Sequence, residues 1–540
     1  MENLSQKHIR IFDAEKGRRA SLDAYFQELM YYTLPRKAYI QKVKSMGDRL
    51  PVDIYDSTAI LSNAYFAAGM QAYMSSPQTK WFTLAIQDQK YMSKKNVLDY
   101  CKDAEDVVYD IINNSNFYQE DVEGYLSLGS IGTDVLYTEE DIKEDIRFDS
   151  LSIENVVILN NAQGRVDIAY LEYEFDAYQA IGKFGAKSVS VKVRDCYEKG
   201  DYDTKFKYLF CVHPRAVYDQ SKKDSKNMPF AALWISREDQ VVVKEGGYRE
   251  FPFMVSRFAK SKGDAYGYSP AMNVLPDIKM LNGMEFENII AAQIGNRPPL
   301  EIPDEAFLLP YNFNPGGHNI KNAGYPNEHI TPINTGVNLR IGMDYLQYKQ
   351  HRIEQAFYND LFLAVEQIGK MTATEVQIRN NQRMQMLGSA IGNIMREKLS
   401  PIIQRVFSIA AKNNKLPELP PELRGQNYII NYISPLARAQ KSLELQNLAQ
   451  AMQIIASFGS VNVEVFDKID FDEAVDYVAE ITNIKPHLIR DDMEVETIRA
   501  DRQQQQMAAQ QMAMLEQGAS ATKTGAEADK AIAESQTVGV

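Results

Sequence analysis

A chain of 540 residues is too long for one compact core and calls for two to four structural regions. Hydrophobic content of 45% and charged content of 24% are ordinary for a folded soluble protein, and no apolar run is long enough to cross a bilayer. The net charge of −13 argues against tight DNA binding, which relies on Lys and Arg replacing counterions at phosphates; it suits a surface along which a polyanion slides.

The N-terminus, MENLSQKHIR, lacks the apolar core of a signal peptide, so cytoplasmic synthesis is expected. Cys101, Cys196 and Cys211 form no CxxC pair and are odd in number. With six scattered histidines, they read as buried or incidental thiols rather than a disulfide framework or a metal site.

Residues 6–34 have a polar first half, then Leu22, Tyr25, Phe26, Leu29 and Met30 at helical spacing, which predicts a helix ending at Leu34-Pro35. A polar, basic loop follows over 36–51. Asp56-Ser57-Thr58 opens a second helix with Ile60, Leu61, Ala64, Tyr65, Ala68 and Ala72 on one face, stopping near Ser75-Ser76-Pro77. Trp81 to Leu84 read as a short strand, and helical pattern returns over 93–114 and 118–129.

From Thr133 to Phe258 the pattern becomes short runs rich in Val, Tyr and Phe, separated by turn sequences at 161–164, 198–201 and 244–247. The predicted strands are 134–137, 156–159, 167–175, 189–197, 206–214, 231–236, 240–244 and 253–258. They form a mostly antiparallel β region with Trp234 as core anchor.

Ser269-Pro270 caps a helix that gathers Leu275, Ile278, Leu281, Met284 and Ile289, with a possible restart at Pro276-Asp277, and stops at Gly295. Residues 298–340, rich in Pro, Gly and Asn, predict a loop-and-strand excursion, and a return helix runs from Met343 to Glu366. A Gly-bearing turn then leads to Thr372 and Thr374, either of which can cap a long helix. Leu387, Ile391, Ile394, Met395, Leu399, Ile402, Val406 and Ile409 form its apolar stripe. From Thr374 to Asn413 it would run roughly 60 Å. Pro401 lies inside that run and predicts a kink. Beyond it come a Pro-rich loop, a strand over 428–433, helical pattern over 434–500 and a low-complexity tail over 501–540.

The succession TATEV, a helix carrying REKLSPIIQRVF, an NKLPELPPEL loop, a strand and ISPLARAQ resembles the portal, or head-to-tail connecting, protein of short-tailed bacteriophages. Two further segments fit the same family: YDSTAILSNAYFAAGMQAYMSSPQTKWF at 55–82 and YGYSPAMNVLPDIKMLNGMEFENIIAAQIGNRPPLEIPD at 266–304. The resemblance implies an α+β, mainly helical portal fold: a wing over 1–268 with a β-rich insert at 133–258, a stem helix over 269–297, a clip over 298–340 and a second stem helix over 341–366. A tunnel loop over 367–373, a long kinked helix with its return strand over 374–433, crown helices over 434–500 and the tail complete it.

The same resemblance makes Gly369, Lys370, Met371 and Thr372 the DNA-facing loop. One Lys370 per subunit would meet phosphates without reading bases, and Gly369 would let the turn flex. The alternative is an ordinary solvated lysine in an interhelical turn. Arg297, Glu301, Asp304, Glu305 and Arg340 flank the excursion and would contact neighbouring subunits or tail adaptors, or else form a solvated rim. Gly182 to Ser188 looks like a phosphate-binding loop, but Ala186 separates Gly185 from Lys187. No catalytic residue, metal or cofactor is expected.

The function implied is a ring-shaped channel, usually a dodecamer, at a single capsid vertex of the virion. Its expected partners are double-stranded DNA in transit, the terminase large subunit, tail adaptor or connector proteins, and the major capsid and scaffolding proteins, with no membrane. Two other readings stand beside it. A phage DNA-processing enzyme would need clustered metal-binding carboxylates. A channel-less scaffold would show a sustained heptad, which Gly388 and Gly392 interrupt.

Overall fold

The computed structural model describes residues 3–40, 53–86, 94–141, 143–219, 222, 224–296, 300–302, 310, 320, 324, 327, 329–332, 339–362, 387–423, 428–432, 448–457, 471–482, 494–510 and 512. The fold is α+β and mainly helical. The chain divides into two units, the first spanning Met1–Leu84, Asp103–Pro417 and Ile430–Gln440, the second Ala85–Lys102, Glu418–Ile429 and Lys441–Val540.

The first unit opens with helix α1 (Leu4–Thr33) and helix α2 (Thr58–Met74), while strand β1 (Phe82–Ile86) and the helix after it are each divided by the unit boundaries at Leu84 and Lys102. Helices α3 (Lys95–Asn114) and α4 (Phe117–Ile131) precede strands β2 (Thr133–Asp141), β3 (Asp145–Ser150), β4 (Val156–Asn160) and β5 (Val166–Asp176). Helices α5 (Ala177–Phe184) and α6 (Val191–Lys199) come next, then strands β6 (Lys205–Pro214), β7 (Phe230–Ser236), β8 (Val241–Tyr248) and β9 (Phe253–Arg257).

Strands β4 to β8 form one antiparallel sheet in sequence order, and β3-β2-β9 form a second. Side chains alternate across the five-stranded sheet, so its two faces have different partners. On one face Val157, Tyr170, Leu209, Cys211, Leu233 and Ile235 close over Phe12 of α1. On the other, Phe210 stacks on Trp234 at 4.4 Å between ring centroids, and Phe184 of α5 packs edge-on against Trp234. Tyr137 and Phe253 of the three-stranded sheet also reach Phe210. The sheet is therefore buried on both sides, which accounts for the near-continuous burial of β6 from Tyr208 to Val212.

Two expectations within 133–258 are corrected. Of residues 189–197, predicted as a strand, 191–197 lie in α6, with Ser190 before the helix and Gly200 at φ +68° closing it. Of these residues only Val189, ahead of the helix, and Val193, within it, are buried. Residues 145–150, unassigned in the sequence, form β3, paired to β2 through a tight hairpin with Asp145 at φ +65°.

Helix α7 (Pro270–Asn296) runs unbroken through Pro276. It is tied to α8 (Leu339–Ala356) by Asp277, which takes Lys349 at 2.6 Å and Arg352 at 3.3 Å. The predicted return helix Met343–Glu366 is corrected: α8 starts four residues earlier and stops at Ala356, where Tyr358 at φ +61° breaks it before a short helix, Asn359–Phe362. Between these helices the segments Leu300–Glu301 (β10) and Thr331–Pro332 (β11) pair antiparallel, so the chain leaves and returns along one line.

In the C-terminal part of the second unit helices cover 448–457, Phe471–Thr482 and 494–510, so helix reaches ten residues into the low-complexity tail. Arg499 holds Asp472 through two bonds of 2.7 Å. Among the described residues, no helix is long and apolar enough to cross a membrane.

Candidate functional site

The described part of the long helix has three consecutive pieces: α9 (Gly388–Ile394), a π turn (Met395–Leu399) and α10 (Ser400–Lys412). Ser400 N–H donates to Met395 O, a step of five residues rather than four. Pro401, which has no N–H to give, follows directly. The wider turn brings two adjacent residues, Lys398 and Leu399, fully into the interior. The neighbouring Glu397 is turned toward a different set of partners.

Lys398 Nζ lies 2.7 Å from Asp121 Oδ1 of α4 and 2.8 Å from Asp134 Oδ2 of β2, all three side chains sealed from solvent. The ammonium also sits 4.6 Å from the centre of the Tyr125 ring. Ser75 Oγ donates to Asp121 Oδ2 and lies 3.2 Å from the Tyr125 hydroxyl. Room for this cluster depends on Gly124: a Cβ there would stand 2.4 Å from Asp134 Oδ2 and 2.6 Å from Lys398 Nζ. The α4–β2 junction that presents both carboxylates turns on Gly132, at φ +74°, where a Cβ would meet the Tyr268 backbone at 2.4 Å.

Burial opposes the charge on Lys398, but Asp121 and Asp134 outweigh it and raise the lysine above its ordinary pKa. Burial raises Asp121 as well, against the pull of Lys398 and Ser75. One cation faces two carboxylates, so the cluster has a net charge of −1 when fully ionised.

On the other side of the π turn, Glu397 accepts from Arg257 at the end of β9 through Nη2 at 2.5 Å and Nε at 3.2 Å, and from Lys260 at 3.1 Å. This fork is nearly dry, with Arg257 only 2% exposed. Farther along, Arg405 donates to Thr138 O at 3.2 Å and covers the Tyr248 ring, and Ser408 donates to Glu250. Lys412 and Lys415 reach Glu140 and Asp145 at 2.7 and 2.6 Å. The helix is thus pinned to α4 and the three-stranded sheet from Glu397 to Lys415.

Of the residues singled out in the sequence, Gly369, Lys370, Met371 and Thr372 lie outside the described residues, as do Arg297, Asp304 and Glu305. Glu301 is exposed in β10, opposite Thr331. Arg340 falls in the first turn of α8. Pro401 is half-buried just past the π turn. The fold does not bring these positions into one cluster among the described residues.

The ion cluster itself was missed. A signal existed: Lys398 stands four residues from both Ile394 and Ile402, on the apolar stripe, and Arg405 falls on it too. A cation on a buried stripe needs an anion, though sequence spacing does not say which.

Over residues 5–489 the sequence matches the family described as bacteriophage head to tail connecting protein. The probable portal protein of Bordetella phage BPP-1 is 30% identical over 514 residues, covering 94% of this chain and 93% of that protein. The portal protein of Salmonella phage epsilon15 is 29% identical over 523 residues, covering 95% and 93%.

Proposed function

Since this chain belongs to the bacteriophage head to tail connecting proteins, a structural and non-enzymatic family, we propose that it is the portal subunit of a virion, placed where capsid meets tail. Identical copies close into a ring, with twelve the expected number, at one capsid vertex. Double-stranded DNA enters through the ring during packaging and leaves through it at ejection. The terminase large subunit docks on the outer end during packaging, and tail adaptors take its place afterwards. Major capsid and scaffolding proteins surround the wing.

The observation that carries this reading is collinear similarity to portal proteins over 94–95% of the chain. In this reading 1–268 is the wing, α7 and the 341–366 segment, with α8 as its described helix, are the stem, and 298–340 is the clip, where Arg297, Glu301, Asp304, Glu305 and Arg340 meet partners. Residues 367–373 line the tunnel with Lys370 toward the phosphates. The helix pinned by Glu397 and Lys398 carries load from that loop into the wing and toward the crown over 434–500. An acidic subunit suits the task, because DNA must slide rather than stick.

Negative-stain microscopy of the purified protein tests the assembly. Rings with a central opening are expected, and lone globules under every assembly condition would sink the reading. For the loop, Lys370→Glu is expected to alter genome packaging or retention while rings still form; unchanged packaging and retention would remove Lys370 from the channel.

A further inference from the structure

A second group of chemically capable side chains lies away from the long helix, on the α1-covered face of the five-stranded sheet. Cys211 and His213 are two residues apart on β6, so they point to the same face. His8 comes down onto that face from α1, one turn before the core residue Phe12. The ligand atoms of the three side chains all lie within 4.8 Å of one another. His8 Nδ1 is 3.5 Å from Cys211 Sγ, and the two imidazole rings stack at 4.8 Å.

The hydrogen bonding leaves one of the two imidazoles with a bare nitrogen. His213 Nδ1–H donates to Pro214 O at 3.0 Å, which leaves Nε2 as the lone-pair nitrogen. That nitrogen is buried and has no hydrogen-bond partner among the described residues. An imidazole fixed through one nitrogen by a backbone carbonyl, with the other bare, is the orientation that metal-bound histidines adopt. Tyr170, the register partner of Cys211, places its hydroxyl 3.0 Å from His8 Nδ1 and also hydrogen-bonds the thiol.

We propose that His8, Cys211 and His213 form a binding site for one borderline-soft divalent cation of the zinc class, which ties helix α1 to strand β6. Two neutral imidazoles and one thiolate are the donors such a cation prefers, and a solvent water completes four-coordination. On binding, the Cys211 Sγ–H proton goes to solvent and the S–metal bond replaces it. The His8–Cys211 separation already matches the ligand-to-ligand edge of about 3.5 Å that tetrahedral zinc requires. The His213 ligand atom, within 4.8 Å of the other two, draws in on binding while keeping its Nδ1 bond to Pro214 O. The Tyr170 hydroxyl then keeps only the sulfur as its acceptor. This site is independent of the portal reading.

The full-length protein, freed of metal with a chelator, is titrated with Co²⁺ and followed by absorbance. One equivalent is expected to give visible bands of tetrahedral cobalt together with a near-ultraviolet thiolate-to-cobalt band, both displaced by Zn²⁺. Cys211→Ser should abolish the thiolate band, and His8→Gln or His213→Gln should weaken binding by at least about tenfold. Cys101→Ser and Cys196→Ser should leave the spectrum unchanged. Tyr170→Phe, which removes the competing hydroxyl without touching a ligand, should retain binding. A wild-type spectrum without the thiolate band overturns the proposal by itself, whatever the variants do. So does a band that survives Cys211→Ser.

Discussion

Gly124 is a residue whose side chain is excluded by charge groups rather than by core packing. Adding one methyl group places carbon against the Lys398 ammonium and the Asp134 carboxylate in a site with no slack. Gly124→Ala is expected to cost about 1–3 kcal/mol as overpacking, read as a lower urea midpoint. Removing the cation is worse, because Lys398→Met leaves two buried carboxylates facing each other, at about 3–5 kcal/mol. Asp121→Asn should be milder than either change at neutral pH, since it converts a net charge of −1 into a matched pair.

The acid limb of the stability curve tests the same cluster. Asp121 titrates above its unfolded value in the fold, so the folded state binds the extra proton. That contribution is fully present below the unfolded carboxylate range and is lost as pH rises through the raised value. Subtracting the Asp121→Asn curve from wild type should leave a difference that falls with pH over this window. A flat or rising difference would contradict it.

At the level of the element, the π turn decides which contacts hold the long helix. Glu397 meets a nearly dry guanidinium, whereas Lys412 and Glu140 are both well exposed. Glu397→Ala should therefore cost about 3–5 kcal/mol, against about 0–1 kcal/mol for Lys412→Ala, measured by chemical denaturation. Periodicity found most elements here because burial imposes it: α1, α2, α4 and β6 lie within two residues of their predicted bounds. It failed at 189–197, where Val189, Val191 and Val193 alternate like a strand while Ser190 and Gly200 mark a helix. It also failed at β3, whose two buried residues, Ile146 and Phe148, stand among charged neighbours. The ion cluster was legible only as a misplaced lysine. Its partners come from α4 and β2, more than 260 residues earlier, and no local rule connects them. The His8, Cys211 and His213 group was hidden for the same reason, since only the fold closes the distance.

For the whole molecule, the proposed ring must bring together copies that each carry a net charge of −13. Repulsion grows with every subunit added, and dissolved ions shorten its reach to about 10 Å at 0.1 M salt. Ring formation, followed by sedimentation velocity, should be more complete at roughly 0.5 M salt than at roughly 0.02 M, where screening is weak. Assembly that weakens steadily with salt would mean that paired charges, not apolar contacts, hold the ring.

The two adjacent charges of the π turn have a mechanical corollary. Glu397 rests among cations and Lys398 among anions, so rolling the helix by one position in either direction would set one of the two against its own sign. No neighbouring resting place exists at that point. A twist or thrust applied at one end of α10 cannot be spent there as slippage, and it reaches the far end as the swing of a stiff lever about a fixed fulcrum.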